Sequence, residues 1–473
     1  MKTLLTVLLS VLFVFYLNPA IAKTYYFSAI SGDDSRTSAQ AQNPSTPWKT
    51  LNKLNSFFSS LQPGDFVLFK RGETFYGSIT VNKSGTASEP ITISEYGTGS
   101  RPVITSLVTL TGWKANSIYR GVYESAANSA FDAKINMVLL NGTQEPIGRY
   151  PNSDLPNKGY LTFESHVGKT SITDKQLSAS PNWTGADVII RTSRWTLDRG
   201  LITSHSGTKI SYSAPESYTP KDDYGYFIQN HIKTLDQLGE WYYNPSTKKI
   251  SMYFGSKSPS SYTVQAASID NLISAADKDY IVFDNITLKG ANQYGVYISK
   301  NGSNITIKNC DVLFSGRDGV NVSSHTNFIL ENSNILNSNN DGVNIGSGNT
   351  KPIVRNNIIK NSYTIAGMGQ SGNGNGAGVR NAAGGLVEYN QIINSGYLGV
   401  QLGGDYAIIK NNLIDSFCFV KDDGAGVYTS NGENAYSTGR KITGNIILNA
   451  IGAAAGTNSS GFSAEGIYMD DNI

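Results

Sequence analysis

The chain has 473 residues, among them 48 glycines and 27 tyrosines, with 38 basic and 36 acidic side chains for a net charge of +2. That near balance, with no lysine or arginine run, excludes strong electrostatic attraction to nucleic acid or to an anionic membrane surface. Abundant glycine, asparagine, serine and threonine exclude a mainly helical protein and point to many short strands joined by turns.

Residues 1–22 read as a secretory signal. Lys2 gives the positive start, Leu4 to Leu17 the apolar core, and Ala20-Ile21-Ala22 the small-residue pattern for cleavage near Ala22-Lys23. The apolar run is short for a bilayer and has the wrong flanks for an anchor, and no later segment is apolar enough to span. The mature protein is therefore expected to be exported, secreted or periplasmic, without a membrane span, and monomeric. Residues 23–118 are expected to form an N-terminal cap and the first coils of a solenoid. Ser45 or Thr46 can cap a helix with Pro47 in its first turn. Trp48, Leu51, Leu54, Phe58 and Leu61 share one face of it, and Pro63-Gly64 ends it. Such a helix would cover the apolar core and unpaired edges of the first coil. Strands follow around residues 66–70, 78–81, 91–94 and 103–107. Residues 119–270, holding Trp183, Trp195 and Trp241, carry no repeat and read as an inserted β-rich subdomain.

From 271 to 473 one phrase recurs: Gly295-Val296-Tyr297, Gly319-Val320-Asn321, Gly342-Val343-Asn344, Gly378-Val379-Arg380, Gly399-Val400-Gln401, Gly426-Val427-Tyr428 and Gly466-Ile467-Tyr468. The intervals are 24, 23, 36, 21, 27 and 40 residues, a step near 23 with three insertions. Short alternating strands repeating at this period predict an all-β, right-handed parallel β-helix, in which each coil buries its apolar face on the next. Asn285, Asn309 and Asn332 each precede their glycine by ten residues and are expected to stack into a hydrogen-bonded column. Cys310 and Cys418 read as buried small side chains rather than a disulfide, and no metal-ligand spacing is present. The sequence stops inside a coil at Ile473, which suggests a fragment of a longer reading frame.

Several stretches carry a family resemblance. Gly64-Asp65-Phe66-Val67-Leu68-Phe69-Lys70, Gly148-Arg149-Tyr150-Pro151-Asn152, Leu235 to Tyr243, Asp423-Gly424-Ala425-Gly426-Val427-Tyr428 and Gly466 to Asp471 together resemble exported β-helix proteins of the pectate-lyase-like superfamily. The resemblance covers nearly all of the mature chain and implies the fold more firmly than the chemistry, because one fold hosts several reactions. It implies glycoside hydrolase or polysaccharide lyase activity on a polysaccharide or oligosaccharide. The polygalacturonase pattern is incomplete: no Gly-His-Gly follows Asn340-Asp341-Gly342. His325 reads as a solvated turn residue.

If the valines point inward, alternation turns the next residue outward. That outward column reads Tyr297, Asn321, Asn344, Arg380, Gln401, Tyr428 and Tyr468, aromatic faces and fixed hydrogen-bonding groups suited to a sugar chain, though also to a merely solvated face. Glycosidic hydrolysis needs two carboxyl groups, about 5–5.5 Å apart for retention and about 6.5–9.5 Å for inversion. Coils rise by about 4.8 Å, so Asp318 and Asp341, in one slot of adjacent coils, fit the first spacing. Asp423 and Glu465, one coil apart and two residues out of step, fit the second at roughly 8 Å. Asp470 projects from the same face as Tyr468. Asp423, Glu465 and Asp470 are preferred as catalytic groups because long loops at 365–377, 430–439 and 450–464 surround them. Asp318, Asp341, Asp422 and Asp471 remain second-choice acids that also read as turn residues. Arg380 could hold a uronate carboxylate or pair with Asp422 or Asp423. No cofactor is required, and calcium is an optional occupant of the acidic cluster. The glycine run 367–378 lacks the lysine and following helix of a phosphate loop. Three functions stay open: a glycoside hydrolase with paired carboxyl groups, a lyase using Arg380 or calcium with Lys421, Arg380 or Tyr428 as base, and a non-catalytic carbohydrate-binding surface protein. The first is the leading expectation.

Overall fold

A computed structural model describes residues 22–214, 217–431 and 437–471. The expected signal segment, apart from Ala22, and the middle of the loop at 430–439 lie outside the described residues. Among the described residues no helix is long and apolar enough to cross a membrane.

Each coil contributes one short strand to each of three parallel sheets, called here faces 1, 2 and 3 in chain order. Face 1 starts with Thr24–Phe27, Phe66–Lys70 and Ile91–Tyr96, and face 2 with Thr74–Tyr76 and Val103–Thr105. Face 3 runs Ile79–Val81, Asn271–Ala276, Tyr294–Ser299, Val320–Val322, Val343–Ile345, Val379–Asn381, Val400–Leu402, Gly424–Thr429 and Ala464–Met469. Its register stacks Val296, Val320, Val343, Val379, Val400 and Val427 directly over one another. All six are fully buried, each worth about 1.5–3 kcal/mol relative to exposure. No coil gains that alone, since each valine is covered by the coils on either side.

The glycines that open the first six phrases have a steric cause, which Gly466 at the end of the stack does not share. At the corner between faces 2 and 3 a Cβ on Gly319 would lie 2.4 Å from Ile335 Cγ2, and one on Gly399 2.4 Å from Ile414 Cγ2. The backbone there rests on the core side chains of face 2, leaving no room for a methyl group.

The asparagine column forms one residue later than expected. Asn285, Asn309 and Asn332 take left-handed backbone with φ of 58°, 54° and 52° at the corner between faces 1 and 2, a conformation asparagine tolerates well. The continuous ladder is built by the following residue: Asn357, Asn390, Asn412 and Asn445 pass Nδ2–H···Oδ1 bonds of 2.9–3.0 Å up the stack. Cys310 and Cys418 are buried free thiols. His325 is not solvated: it is 1 % exposed, neither ring nitrogen has a hydrogen-bond partner among the described residues, and burial pushes its pKa down to about 4.

The capping helix spans Leu51–Phe57, with Thr50 as its cap accepting from Lys53 N–H at 3.1 Å. It starts later than the sequence suggests because Trp48 N–H bonds to Tyr26 O at 2.9 Å, which draws Pro47 to Lys49 alongside the first strand of face 1. Trp48, Leu51, Leu54, Phe58 and Leu61 are nevertheless all buried in the core.

One coil is interrupted. After Val103–Thr105 of face 2 the chain leaves the solenoid, and it returns at Asn271–Ala276 of face 3. Antiparallel pairing begins at once, Leu107–Thr109 with Val264–Ala267, and the intervening strands carry cores of their own, one around Trp183 and one around Trp241. This excursion leaves by the same corner as the later loops at 363–378 and 451–463, and it lies along them. Gln229 Nε2 donates to Gly367 O at 2.9 Å, Arg191 Nη2 to Val420 O at 2.7 Å and Ala453 O at 2.9 Å, and Gly225 N–H to Gly456 O at 2.8 Å. The turn between Asp187–Ser193 and Thr196–Ser206 is thereby carried to the edge of face 3.

Candidate active site

Face 3 presents the predicted outward column in register: Tyr297, Asn321, Asn344, Arg380, Gln401, Tyr428 and Tyr468 are successive partners. At its upper end lies a cavity of about 500 Å³ bordered by Gln401, Asp423, Tyr428, Tyr468, Asp470 and Asp471. The opposite wall comes from the excursion, as Trp195 and Tyr218, whose rings meet edge to face at 5.6 Å.

Asp423 has left-handed backbone, φ 56°. Its N–H bonds to Ser463 O at 2.8 Å and its carbonyl accepts from the Tyr397 hydroxyl at 3.0 Å. Its carboxyl accepts no hydrogen bond from a described residue. Burial raises its pKa; Arg194 opposes this, and the neighbouring carboxylates Asp422, Asp470 and Glu465 add to it. Asp470 is held differently. Its Oδ2 accepts from the Tyr428 hydroxyl at 2.7 Å and its Oδ1 from Asp471 N–H at 3.0 Å. Two carboxyl groups with contrasting surroundings thus share one cavity, one desolvated and unbonded, the other supported by a phenol. Burial and that hydrogen bond together push the Tyr428 hydroxyl well above the ordinary tyrosine range. Gln401 Oε1 is buried without a donor, and a buried acceptor left unpaired costs free energy unless something fills the role.

Glu465 stands one coil above Ala425 in register. Its carboxylate is exposed, accepts from Ser463 Oγ at 3.3 Å and does not line the cavity. It reaches Asp423 through charge alone.

Asp318 and Asp341 stack as expected but face no solvent, since both are 0 % exposed. Asp318 accepts from Asn340 Nδ2 and Asn321 Nδ2, each at 2.7 Å, from Asp341 N–H at 3.1 Å and from Asn344 Nδ2 at 3.2 Å. Asp341 accepts from the N–H groups of Gly376 and Ala377 at 2.8 Å and lies 3.2 Å from Arg380 Nε. Burial lifts its pKa to about 6, with Arg380 opposing and Asp318 adding. These two acids hold loops in place.

Asp422 is also sealed, paired with Arg194 and accepting from Ser463 N–H at 2.9 Å and Ala453 N–H at 3.3 Å. Arg380 therefore pairs with Asp341 rather than with Asp422 or Asp423. Its Nη2 donates to Gly374 O and Asn375 Oδ1, so one arm of its fork is engaged within the protein. Lys421 is fully buried, donating to Asn375 O at 2.9 Å and Gly372 O at 3.1 Å, beyond reach of a sugar on face 3. Among the described residues no group of three histidine, cysteine or acidic side chains is placed to hold a metal ion together.

Trp195, Tyr218, Asn373 and Tyr397 complete the cavity and lie outside the repeat column. The one sequence signal for them is an excursion rich in tryptophan beside a solenoid. A larger groove, about 730 Å³, runs along face 2 past Phe314, Asn337, Asn361 and Asn394, and among the described residues no titratable side chain lines it. It can bind through amides but holds no acid or base.

A family described as the right-handed beta helix region matches residues 258–365 and 294–472. A lacto-N-biosidase of Bifidobacterium longum subsp. longum is 39 % identical over 70 residues, 14 % of this chain and 4 % of that protein. The chain thus spans a small part of that relative. A solved glycoside hydrolase structure superposes with a TM-score of 0.65 at 14 % identity, covering 90 % of this chain and 88 % of the other, and so shares the fold. The complex of XylC with xylose superposes with a TM-score of 0.48 at 13 % identity, over 89 % of this chain and 69 % of that one.

Proposed function

We infer that this right-handed parallel β-helix protein is a carbohydrate-active enzyme that hydrolyses a glycosidic bond in a polysaccharide or oligosaccharide outside the cell. The observation that carries the reading is the cavity in which Asp423 and Asp470 face a shared space lined by Trp195, Tyr218, Tyr428 and Tyr468. Glycosidic hydrolysis needs one carboxyl group protonated and another ionised. Asp423, whose proton burial and neighbouring carboxylates retain, donates to the leaving oxygen. Asp470, with its charge supported by the Tyr428 hydroxyl, activates water or attacks the sugar. The aromatic rings supply apolar faces for sugar rings, and Gln401 Oε1 offers its open acceptor to a hydroxyl. The local match to a lacto-N-biosidase supports hydrolysis.

Elimination would instead need a base beside a neutralised uronate: Lys421 is buried on internal carbonyls, Arg380 is paired with Asp341, and the Tyr428 hydroxyl already donates to Asp470. The test is a panel of neutral and acidic polysaccharides and oligosaccharides, followed both by new reducing ends and by ultraviolet absorbance. Hydrolysis predicts reducing ends without absorbance, lost in Asp423→Asn and Asp470→Asn. An absorbance rise, or sugar retention with no cleavage of any glycan, would replace the reading with the lyase or the binding protein.

A further inference from the structure

A second cavity, about 380 Å³, lies where the excursion meets the loops at the corner of faces 2 and 3. Its lining combines the apolar side chains of Ile147, Ile365, Phe419 and Val420 with the basic ones of Arg149, Lys158 and Arg191, and the two sets adjoin, Lys158 Nζ donating to Phe419 O at 3.0 Å. Among the described residues Glu240 is the one carboxylate lining it, and that group is already occupied: Oε1 accepts from Arg149 N–H at 3.1 Å and Oε2 from Asp236 and Gln237 N–H at 3.0 Å. Three cations therefore face one acid whose lone pairs serve the backbone.

The two arginines are deeply set, 7 % exposed for Arg149 and 0 % for Arg191. Their hydrogen bonds go to carbonyl oxygens, Pro151, Lys158 and Gly159 for Arg149, and Arg194, Val420 and Ala453 for Arg191. Both guanidinium groups sit near the Tyr160 ring, at 5.8 and 5.7 Å from its centre. Arg191 Nε is buried with no acceptor. Buried charge is normally paired, and carbonyls and a ring satisfy donors without cancelling charge. Burial lowers the pKa of Arg149 to about 10, and burial together with Arg191 lowers that of Lys158, as expected of cations short of anions.

We propose that this cavity is a second ligand site, for a small organic carboxylate whose anionic end meets Arg149, Arg191 and Lys158 and whose apolar body lies against Ile365 and Phe419. A planar carboxylate matches the geometry of guanidinium donors, and the volume falls in the range of small-ligand pockets, about 300–1,000 Å³. The acidic cavity on face 3 would repel the same anion, so the two sites select opposite chemistries.

The test uses the whole protein with 4-methylbenzoate and its neutral isostere 4-methylbenzamide, by calorimetry and thermal unfolding. The expected result is benzoate binding at or below about 1 mM, at least tenfold tighter than the amide, with a raised Tm. Lys158→Met, a change at an exposed side chain, should weaken the benzoate severalfold and leave the amide unchanged. Ile365→Trp, filling the apolar half, should abolish binding of both while the circular dichroism stays as in the parent. Equal affinity for acid and amide, no binding of the acid, or retention of binding in Ile365→Trp would each overturn the proposal. Inorganic sulfate competing as well as the benzoate would overturn the organic half of it.

Discussion

Replacing Asn390 by alanine removes one rung of the internal ladder, and the structure shows what is lost. Asn390 is 1 % exposed. Its Nδ2 donates to Val354 O at 2.9 Å and Asn412 Oδ1 at 3.0 Å, and its Oδ1 accepts from Asn357 N–H and Nδ2, both at 3.0 Å. Four bonds at about 1 kcal/mol net give an upper figure of about 4 kcal/mol. Two partners keep other contacts: Asn412 Oδ1 still accepts from Asn390 N–H at 2.9 Å and Asn357 Nδ2 still donates to Leu330 O at 3.0 Å. The backbone N–H of Asn357 is left buried without an acceptor. The expected loss is about 3 kcal/mol. The control is Asn394→Gly on the outside of face 2, where an exposed Nδ2 donates to Asn361 Oδ1 at 3.0 Å and the backbone φ is 59°; glycine keeps that left-handed conformation, so the change should cost at most about 1 kcal/mol. Hydrogen exchange read by mass spectrometry reports this locally, without assuming that a solenoid unfolds in one step. Peptides spanning residue 357 should lose protection by about a hundredfold in the first variant and be unchanged in the second. Equal effects from the buried and the exposed asparagine would refute the reasoning.

Glu465→Gln removes a charge that raises the Asp423 pKa, so that pKa should fall. If Asp423 is the proton donor, the alkaline limb of the kcat/KM profile moves to lower pH while activity persists at acidic pH; an unmoved limb would detach Glu465 from Asp423. Trp195→Ala takes away one aromatic wall, worth about 1.4 kcal/mol, so KM should rise about tenfold with kcat changed by less than about threefold. Lys421 is buried with its pKa lowered to about 7, against about 10.4 when unfolded. Between those values the unfolded chain binds the extra proton, so this residue makes stability rise with pH. The Tm of the parent minus that of Lys421→Met should therefore become more positive from pH 7 towards pH 10, and a constant difference would contradict the burial.

Much of the solenoid was legible because its causes are local. Alternation puts Val320, Val343 and Val400 inward and Asn321, Asn344 and Gln401 outward whatever the rest of the chain does, and the glycines mark the corner where the backbone rests on Ile335, Ile359 and Ile414. The ladder was misplaced by one residue because the left-handed turn and the ladder are adjacent positions: Asn356 and Asn357, or Asn411 and Asn412, are two asparagines with two duties. What could not be read was whatever depends on loops folding back. Asp318 and Asp341 occupy the slot expected from spacing, yet the N–H groups of Gly376 and Ala377 and the amide of Asn340 close over them. Trp195 and Tyr218 reach Asp423 only because the excursion docks along the same corner through Arg191 and Gln229. In sequence Gln229 and Gly367 are 138 residues apart and Arg191 and Val420 are 229 apart, and no periodicity connects them.

The most direct measurement is a crystal structure of Asp470→Asn soaked with an oligosaccharide identified by the cleavage screen. The proposed mechanism predicts a sugar ring over Trp195 or Tyr468, with a glycosidic oxygen within hydrogen-bonding reach of the Asp423 carboxyl and a hydroxyl on Gln401 Oε1. A sugar seated only on the amide groove of face 2, beside Asn337, Asn361 and Asn394, with the Asp423 cavity empty, would contradict it.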